Sequence, residues 1–310
     1  MKGFVFSLKG LAKWPFIISS ILLLVVCLTG VLKFTGPLTA TYAHPTTPEA
    51  SSPQTFTGGC TSGPQDTWTP ADGVFYQGRT DKKEVALTFD DGPFGTVQST
   101  HNTRAVLNIL EKNKIHATFF VIGEQVTSDP QRLDPNQVDP NSDQVKLVRQ
   151  EKKDGDEVAD HTWTHPHLRV LPLIPDQNNF GNKHDVRDEL QMTATVIKNA
   201  TGSTPKDFRP PYGETNKNGQ QQASQLGLTT IGWTIDSCDW TQTLAGGATK
   251  NDIINNVLNF VKNGTIVLMH DGGEDRRQTV AALPTIIQGL KSNGYQFVTI
   301  QHMVKEAGQK

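Results

Sequence analysis

Val85-Ala86-Leu87-Thr88-Phe89-Asp90-Asp91-Gly92-Pro93 is an apolar run that ends in two adjacent carboxylates and a turn. Its first five residues have the composition of a buried strand. Two carboxylates at a strand tip are costly to hold together. Like charges this close oppose joint ionisation unless a cation or an arginine lies between them. On an extended chain neighbouring side chains point to opposite faces. Asp90 and Asp91 therefore need not share one job: one could hold a metal and the other take a proton. Gly92-Pro93 then turns the chain away. Asp-Asp-Gly is also a common turn former, so its meaning depends on what the rest of the chain brings to the same place.

Beyond this stretch, strand-like and helix-like runs alternate. Strands are expected at 85–89, 117–122, 157–159, 229–235, 265–269 and 297–300. Apolar spacing near 3.6 predicts helices at 103–114, 145–153, 186–200, 252–262 and 280–291. Asn263-Gly264 and Asn293-Gly294 are glycine stops before a following strand. This alternation argues for a parallel sheet, either closed into a barrel or open and doubly wound. Residues 128–143, with Asp129-Pro130, Asp134-Pro135 and Asp139-Pro140, read as a polar insertion.

Four more clusters carry chemistry. His161-Thr162-Trp163-Thr164-His165 follows the strand at 157–159. Two histidines four apart can face the same way over one turn and bind one cation. Pro166 disfavours helical geometry at His165, so a single turn in a loop is expected, with a chance surface pair as the competing reading. His167 fits the spacing less well and is set aside. Arg209-Pro210-Pro211-Tyr212-Gly213 is a rigid extended segment. It could hold an arginine against a carboxylate and present the Tyr212 backbone N–H to an oxyanion. Asp236-Ser237-Cys238-Asp239-Trp240 adds two carboxylates and an aromatic wall, and Leu268-Met269-His270-Asp271 ends a strand with a histidine. Such a histidine can act as a general acid near neutral pH. Asp90-Asp91, His161, Asp236 and His270 each stand at the carboxyl end of a strand-like run, the edge where catalytic groups gather in α/β sheets and barrels. One site assembled from distant parts of the chain is expected.

The bulk composition excludes some partners. The 310-residue chain has a formal charge of −2. Four of its 29 Lys and Arg fall in residues 1–35, leaving 25 basic against 31 acidic residues in the rest. No nucleic-acid partner is expected of such a mildly acidic body. Lys2, Lys9 and Lys13 precede an uncharged apolar run at 14–32. That run is long enough to cross a bilayer, and the flanking charge places the N-terminus in the cytoplasm. An uncleaved anchor is expected. A signal cleaved near Thr41-Tyr42-Ala43 is the alternative, and the body is exported in either case. Residues 36–80 are rich in Thr, Pro, Ser and Gly and read as a disordered linker. The expected layout is therefore 1–35 anchor or signal segment, 36–80 extracytoplasmic linker and 81–305 catalytic domain. Cys27 lies in the apolar run, while Cys60 and Cys238 could form a disulfide or remain two free thiols.

Thr-Phe-Asp-Asp-Gly, His-Thr-x-x-His, Arg-Pro-Pro-Tyr-Gly, Asp-x-x-Asp-Trp and Leu-x-His, in this order over about residues 84–301, resemble the five motifs of NodB-type polysaccharide deacetylases, carbohydrate esterase family 4. The resemblance implies a distorted (β/α) barrel and a divalent metal, usually zinc. It implies Asp91, His161 and His165 as metal ligands and Asp90 as general base, with Arg209 orienting that base. Tyr212 would supply the oxyanion N–H, and His270 the acid, tuned by Asp239. Trp240 and Leu268 would line the pocket for the acetyl methyl. Peptidoglycan N-acetylglucosamine is the expected substrate, because a short tether holds the domain near a wall. Chitin oligomers and acetylxylan are alternatives, as is a non-catalytic glycan-binding module or a hydrolase of a small cyclic amide. The sequence departs from the family in Asp160 beside His161, which adds negative charge near the metal. The insertion at 128–143, which could reshape one wall of the groove, and Cys238 inside the fourth motif are further departures.

Overall fold

The centre of the molecule is strand β2, Glu84–Gly92, whose residues are buried throughout except Asp91. In a parallel sheet covered on both faces such a continuous apolar strand is what the physics demands. The computed structural model of the chain describes residues 73–94, 103–168, 185–214 and 216–308, all within the compact unit Ser51–Lys310.

Around β2 the described elements run in the order β1 Val74–Phe75, α1 Thr103–Asn113, β3 Thr118–Val121, α2 Gly123–Val126, α3 Asp143–Asp154, β4 Glu157–Asp160, α4 Val186–Thr201, β5 Asp207–Phe208, α5 Lys217–Gln225, β6 Thr229–Ile231, β7 Ile235–Asp236, α6 Lys250–Leu258, β8 Thr265–His270, α7 Arg277–Ser292, β9 Gln296–Phe297 and α8 Ile300–Ala307. The strands pair in parallel as β1-β6-β5-β4-β3-β2-β8-β7, with β9 on the start of β2. This curled parallel sheet with helices around it is the distorted (β/α) barrel that the motifs implied.

Strand alternation decides which residues face where. Val85, Leu87, Phe89, Phe119, Val121, Val267 and Met269 join the large core beneath the helices, with residues such as Leu283 and Ile286 of α7. Phe89 and Phe119 stack there at 5.3 Å. The opposite parity, Ala86, Phe120, Ala159 and Ile266, forms a smaller inner core plugged by Ile300 and Met303 of α8. Continuing that inner parity toward the carboxyl ends gives Thr88 and Asp90, His161, and Leu268 and His270. The inner face that is apolar in the middle of the sheet thus becomes polar toward the carboxyl ends.

Several expectations are corrected. The run at 229–235 is two strands. β6 pairs with β5 and β1, while β7 pairs with β8 at the other end of the order. Gly232-Trp233-Thr234 between them carries the chain from one end of the sheet to the other, so one apolar run serves both. The run at 297–300 ends early, because the Thr299 side chain accepts the His302 N–H and caps α8 at Ile300. β1 lies inside the expected linker and pairs with β6, so the folded domain begins before residue 81. The insertion at 128–143 is built on Asp129, whose carboxylate accepts three backbone N–H groups. The insertion's Arg132 carbonyl accepts the indole N–H of the buried Trp163. It braces the histidine loop from behind, and none of its residues lines the pocket described below. No helix among the described residues is long and apolar enough to cross a membrane. The apolar run at 14–32 and the linker up to residue 72 lie outside the described residues.

Candidate active site

Asp90 and Asp91 reach the same pocket by different routes. Asp90 follows the inward parity of β2. Asp91 would then point outward, but its backbone has φ 73°, and the pairing of β2 with β3 shifts register between Asp90 and Gly92. The bulge turns Asp91 inward as well. Simple alternation therefore fails at this one residue, and both carboxylates face the site. The close approach of Gly272 helps hold the bulge, since a Cβ there would sit 1.9 Å from the Asp91 carbonyl oxygen.

Asp90 Oδ1 accepts from Arg209 Nη1 at 2.8 Å, leaving Oδ2 on the pocket side, 3.8 Å from His161 Nε2. Arg209 is fully buried. It also donates to Thr88 Oγ1 and the Gly232 carbonyl and stacks over the Phe120 ring at 4.1 Å. Burial alone pulls its pKa below the ordinary value, with Asp90 opposing that pull.

The histidine loop is not a helical turn. Thr162 and His165 both have left-handed backbones, φ 70° and 58°, and the Glu189 carboxylate accepts the Trp163 and Thr164 N–H groups. The result places His161 Nε2 3.4 Å and His165 Nε2 3.3 Å from Asp91 Oδ1. His161 donates from Nδ1 to the Arg209 carbonyl at 2.7 Å, which leaves Nε2 as its lone pair. Burial and the neighbouring His161 push His165 down to about 4, so its ring is neutral. Burial works against ionisation of Asp91, but the adjoining His161 ring and the charge of His270 across the pocket hold it well below the usual carboxylate range. Asp91 Oδ1 is buried with no hydrogen-bond partner. Donor atoms of Asp91, His161 and His165 lie within 4.8 Å of one another. An orphaned carboxylate oxygen beside two imidazole lone pairs fits a divalent cation.

Across the pocket, His270 Nδ1 donates to Asp239 Oδ1 at 2.7 Å, and the His270 backbone N–H donates to Asp239 Oδ2. Thr279 also donates to Asp239. Burial disfavours charge on His270, but Asp239 outweighs it and lifts the imidazole to about 9. The ring is therefore protonated at neutral pH, with Nε2–H free to give a proton.

A pocket of about 330 Å³ is lined by Asp90, Asp91, His161, His165, Tyr212, Trp240, Leu268 and His270. Arg209 and Asp239 stand behind it, buried against Asp90 and His270. Every site residue expected from the sequence thus converges on one place. Asp160 differs from expectation. It is fully buried, burial pushes its carboxyl well above the ordinary range, and it accepts the Thr162 N–H. It shapes the histidine loop rather than adding full charge to the metal site.

Sequence reasoning brought Asp236 to this edge without giving it a role and passed over Arg276. Asp236 lines the pocket and accepts from Trp240 Nε1 at 3.2 Å and the Cys238 N–H at 2.7 Å. Arg276 is buried, donates to the Gly272 carbonyl at 2.7 Å and lies 4.0 Å from Asp91 Oδ2. The only signal for Arg276 was its place six residues after His270. Cys238 is disulfide-bonded, and the other cysteines, Cys27 and Cys60, lie outside the described residues.

The family model for polysaccharide deacetylase matches residues 77–231. A peptidoglycan-N-acetylglucosamine deacetylase of Listeria monocytogenes is 36% identical over 224 residues, 72% of this chain. The match covers 39% of that protein, so this chain spans about two fifths of its length. A Bacillus cereus protein of the same name is 33% identical over 240 residues, 76% of this chain and 95% of that one. A crystallised peptidoglycan N-acetylglucosamine deacetylase bound to an N-hydroxybenzamide has a TM-score of 0.60 and 28% identity, covering 76% of this chain and 97% of that chain.

Proposed function

This chain belongs to the polysaccharide deacetylase family, and from that premise we propose that it is a metal-dependent hydrolase removing N-acetyl groups from peptidoglycan N-acetylglucosamine. The observation that carries the reading is the facing pair, Asp90 on Arg209 and His270 on Asp239, on either side of the Asp91–His161–His165 triangle. An amide needs both partners. Water must lose a proton as it attacks the carbonyl, and the amine must gain one before it leaves.

Asp91, His161 and His165 would hold a divalent cation, which we assign as zinc. When bound, that ion would supply Lewis acidity and lower the pKa of water. Asp90, fixed by Arg209 through one oxygen, takes the water proton with the other. The Tyr212 backbone N–H donates to the oxyanion. His270 delivers its proton to the departing nitrogen as the C–N bond breaks, releasing acetate and a free amine. Trp240 and Leu268 pack against the acetyl methyl. The relatives' names favour peptidoglycan over chitin oligomers or acetylxylan. Purified full-length protein with zinc, given each of the three polymers, tests the choice through acetate release. Greatest release from peptidoglycan is expected, and none from any polymer would reject the reading.

The localisation we propose is extracytoplasmic, with residues 14–32 as an uncleaved membrane anchor. Lys2, Lys9 and Lys13 ahead of that apolar run support it. Membrane fractionation with N-terminal sequencing tests it: an intact N-terminus in the membrane fraction is expected, and a soluble chain starting after Ala43 would overturn it.

A further inference from the structure

The pocket is small for a polymer-acting site. At about 330 Å³ it has room for one acetylated sugar, so the neighbouring units of a chain must rest on its rim. One side of that rim carries a built aromatic slab. The His167 and Tyr212 rings stack with centroids 4.0 Å apart and planes 9° apart. His167 Nδ1 is within 3.2 Å of Glu214 Oε2, which fixes the imidazole's rotation. The two rings come from different segments, the end of the histidine loop and the Arg-Pro-Pro-Tyr-Gly turn. Both are left open, with Tyr212 55% exposed and the His167 side chain 57% exposed. Tyr212 lines the pocket, whereas His167 lies outside it. The slab therefore leads away from the pocket mouth.

Holding two exposed rings parallel costs side-chain freedom that nothing in the core recovers. The electron-rich face of such a slab attracts the axial C–H groups of a pyranose, which carry the complementary partial charge. We propose that His167, stacked on Tyr212 and pinned by Glu214, is a sugar-binding platform for the pyranose next to the one being deacetylated. This rests on the deacetylase reading above. The platform makes binding depend on chain length while leaving the bond-breaking groups untouched.

The test uses full-length zinc-loaded protein and β-1,4-linked N-acetylglucosamine oligomers of increasing length, with a small acetyl ester as a chainless reference. In wild type, KM falls as the oligomer lengthens. His167→Ala should erase most of that advantage, raising KM for the longest oligomer about five- to tenfold relative to the ester, with kcat on that oligomer little changed. His167→Phe, which keeps a flat ring, should restore it, and zinc content should match wild type in both. An unchanged length dependence in His167→Ala overturns the platform. So does an equal loss on ester and oligomer, or lost zinc, since either would place His167 with the metal loop. Should wild type release no acetate from any substrate, the deacetylase reading fails by itself. Calorimetric titration with the longest oligomer then decides: weaker binding by His167→Ala sustains the platform, and equal binding overturns it.

Discussion

Both ends of the same sheet bury carboxylates, but basic partners are concentrated at one of them. At the carboxyl edge the three acids assigned to the chemistry each have a basic neighbour, Asp90 with Arg209 at 2.8 Å, Asp239 with His270 at 2.7 Å, and Asp91 with His161 and His165. Asp160 at the same edge has no such neighbour among the described residues, and burial raises its carboxyl. At the amino edge, Glu157 opens β4 and Asp207 opens β5, and neither makes an ion pair among the described residues. Burial, reinforced by the hydrogen bond and charge of Glu157, pushes Asp207 up to about 9. Burial likewise lifts the adjacent Asp156 to about 7. Similar residue types in similar burial thus differ by their neighbours: Asp239 beside His270 is held below its ordinary range, while Asp207 without a basic partner is pushed above it. The presence of a cationic neighbour decides between them. Chemistry belongs to the edge where the charges persist.

The most damaging way to probe the charged edge is Asp90→Asn. It keeps the shape and removes the base, so kcat should fall at least about 10²–10⁴-fold with zinc stoichiometry unchanged. Kinetics alongside metal analysis checks this, and a variant with most of its activity would take Asp90 out of the proton transfer. His165→Ala should act on metal instead. Zinc affinity should drop more than about 100-fold, beyond the typical cost of losing an outer hydrogen-bond partner, as read by competition with a chelating dye.

Asp239→Asn addresses the acid on the other side. His270 must carry its proton to serve, and Asp239 holds it at about 9 against burial. Activity in wild type should therefore decline only as pH rises toward about 9. Without the Asp239 charge, burial prevails, and the alkaline limb should fall to the ordinary histidine value near 6.5 or below. At pH 8 that costs roughly 30-fold in the protonated fraction. A pH–rate profile decides, and an unmoved limb would detach Asp239 from His270. Arg276→Gln should do less. It disturbs Asp91 only through an oxygen 4.0 Å away, so a loss of about tenfold in zinc affinity is expected.

The sequence carried the charged edge well and the other edge hardly at all. His161, Leu268 and His270 were legible because strand parity and position at a carboxyl end are local properties of the chain. Asp91 was only half legible. Its metal role came from a family pattern, while the bulge that turns it inward depends on Gly272, far along the chain. The split at Gly232-Trp233-Thr234 was hidden, because an apolar run does not reveal that its halves join opposite ends of a sheet. α5, with its polar Lys217–Gln225 sequence, has too few apolar positions to mark a face. Arg276 and the Asp207–Glu157 pair are products of packing, in which chain separation leaves no local trace.

That last pair offers the smallest effect and the sharpest test of the contrast between edges. A carboxyl whose folded pKa is raised contributes stability that is fully present below its unfolded value, near 3.8, and is lost as pH rises toward about 9. Wild-type protein should therefore become less stable across that window, because the unfolded chain ionises Asp207 while the folded chain keeps it protonated. Asp207→Asn cannot ionise and can still donate a hydrogen bond to Glu157. Its thermal midpoint should fall less steeply with pH, gaining about 2–4 °C over wild type near pH 8 for each kcal/mol recovered, with zinc binding and kcat intact. The same substitution at the other edge, Asp90→Asn, strips a charge that Arg209 needs, and should lower the midpoint at neutral pH. Were both variants to shift in the same direction, a cationic neighbour would not be what separates the two ends.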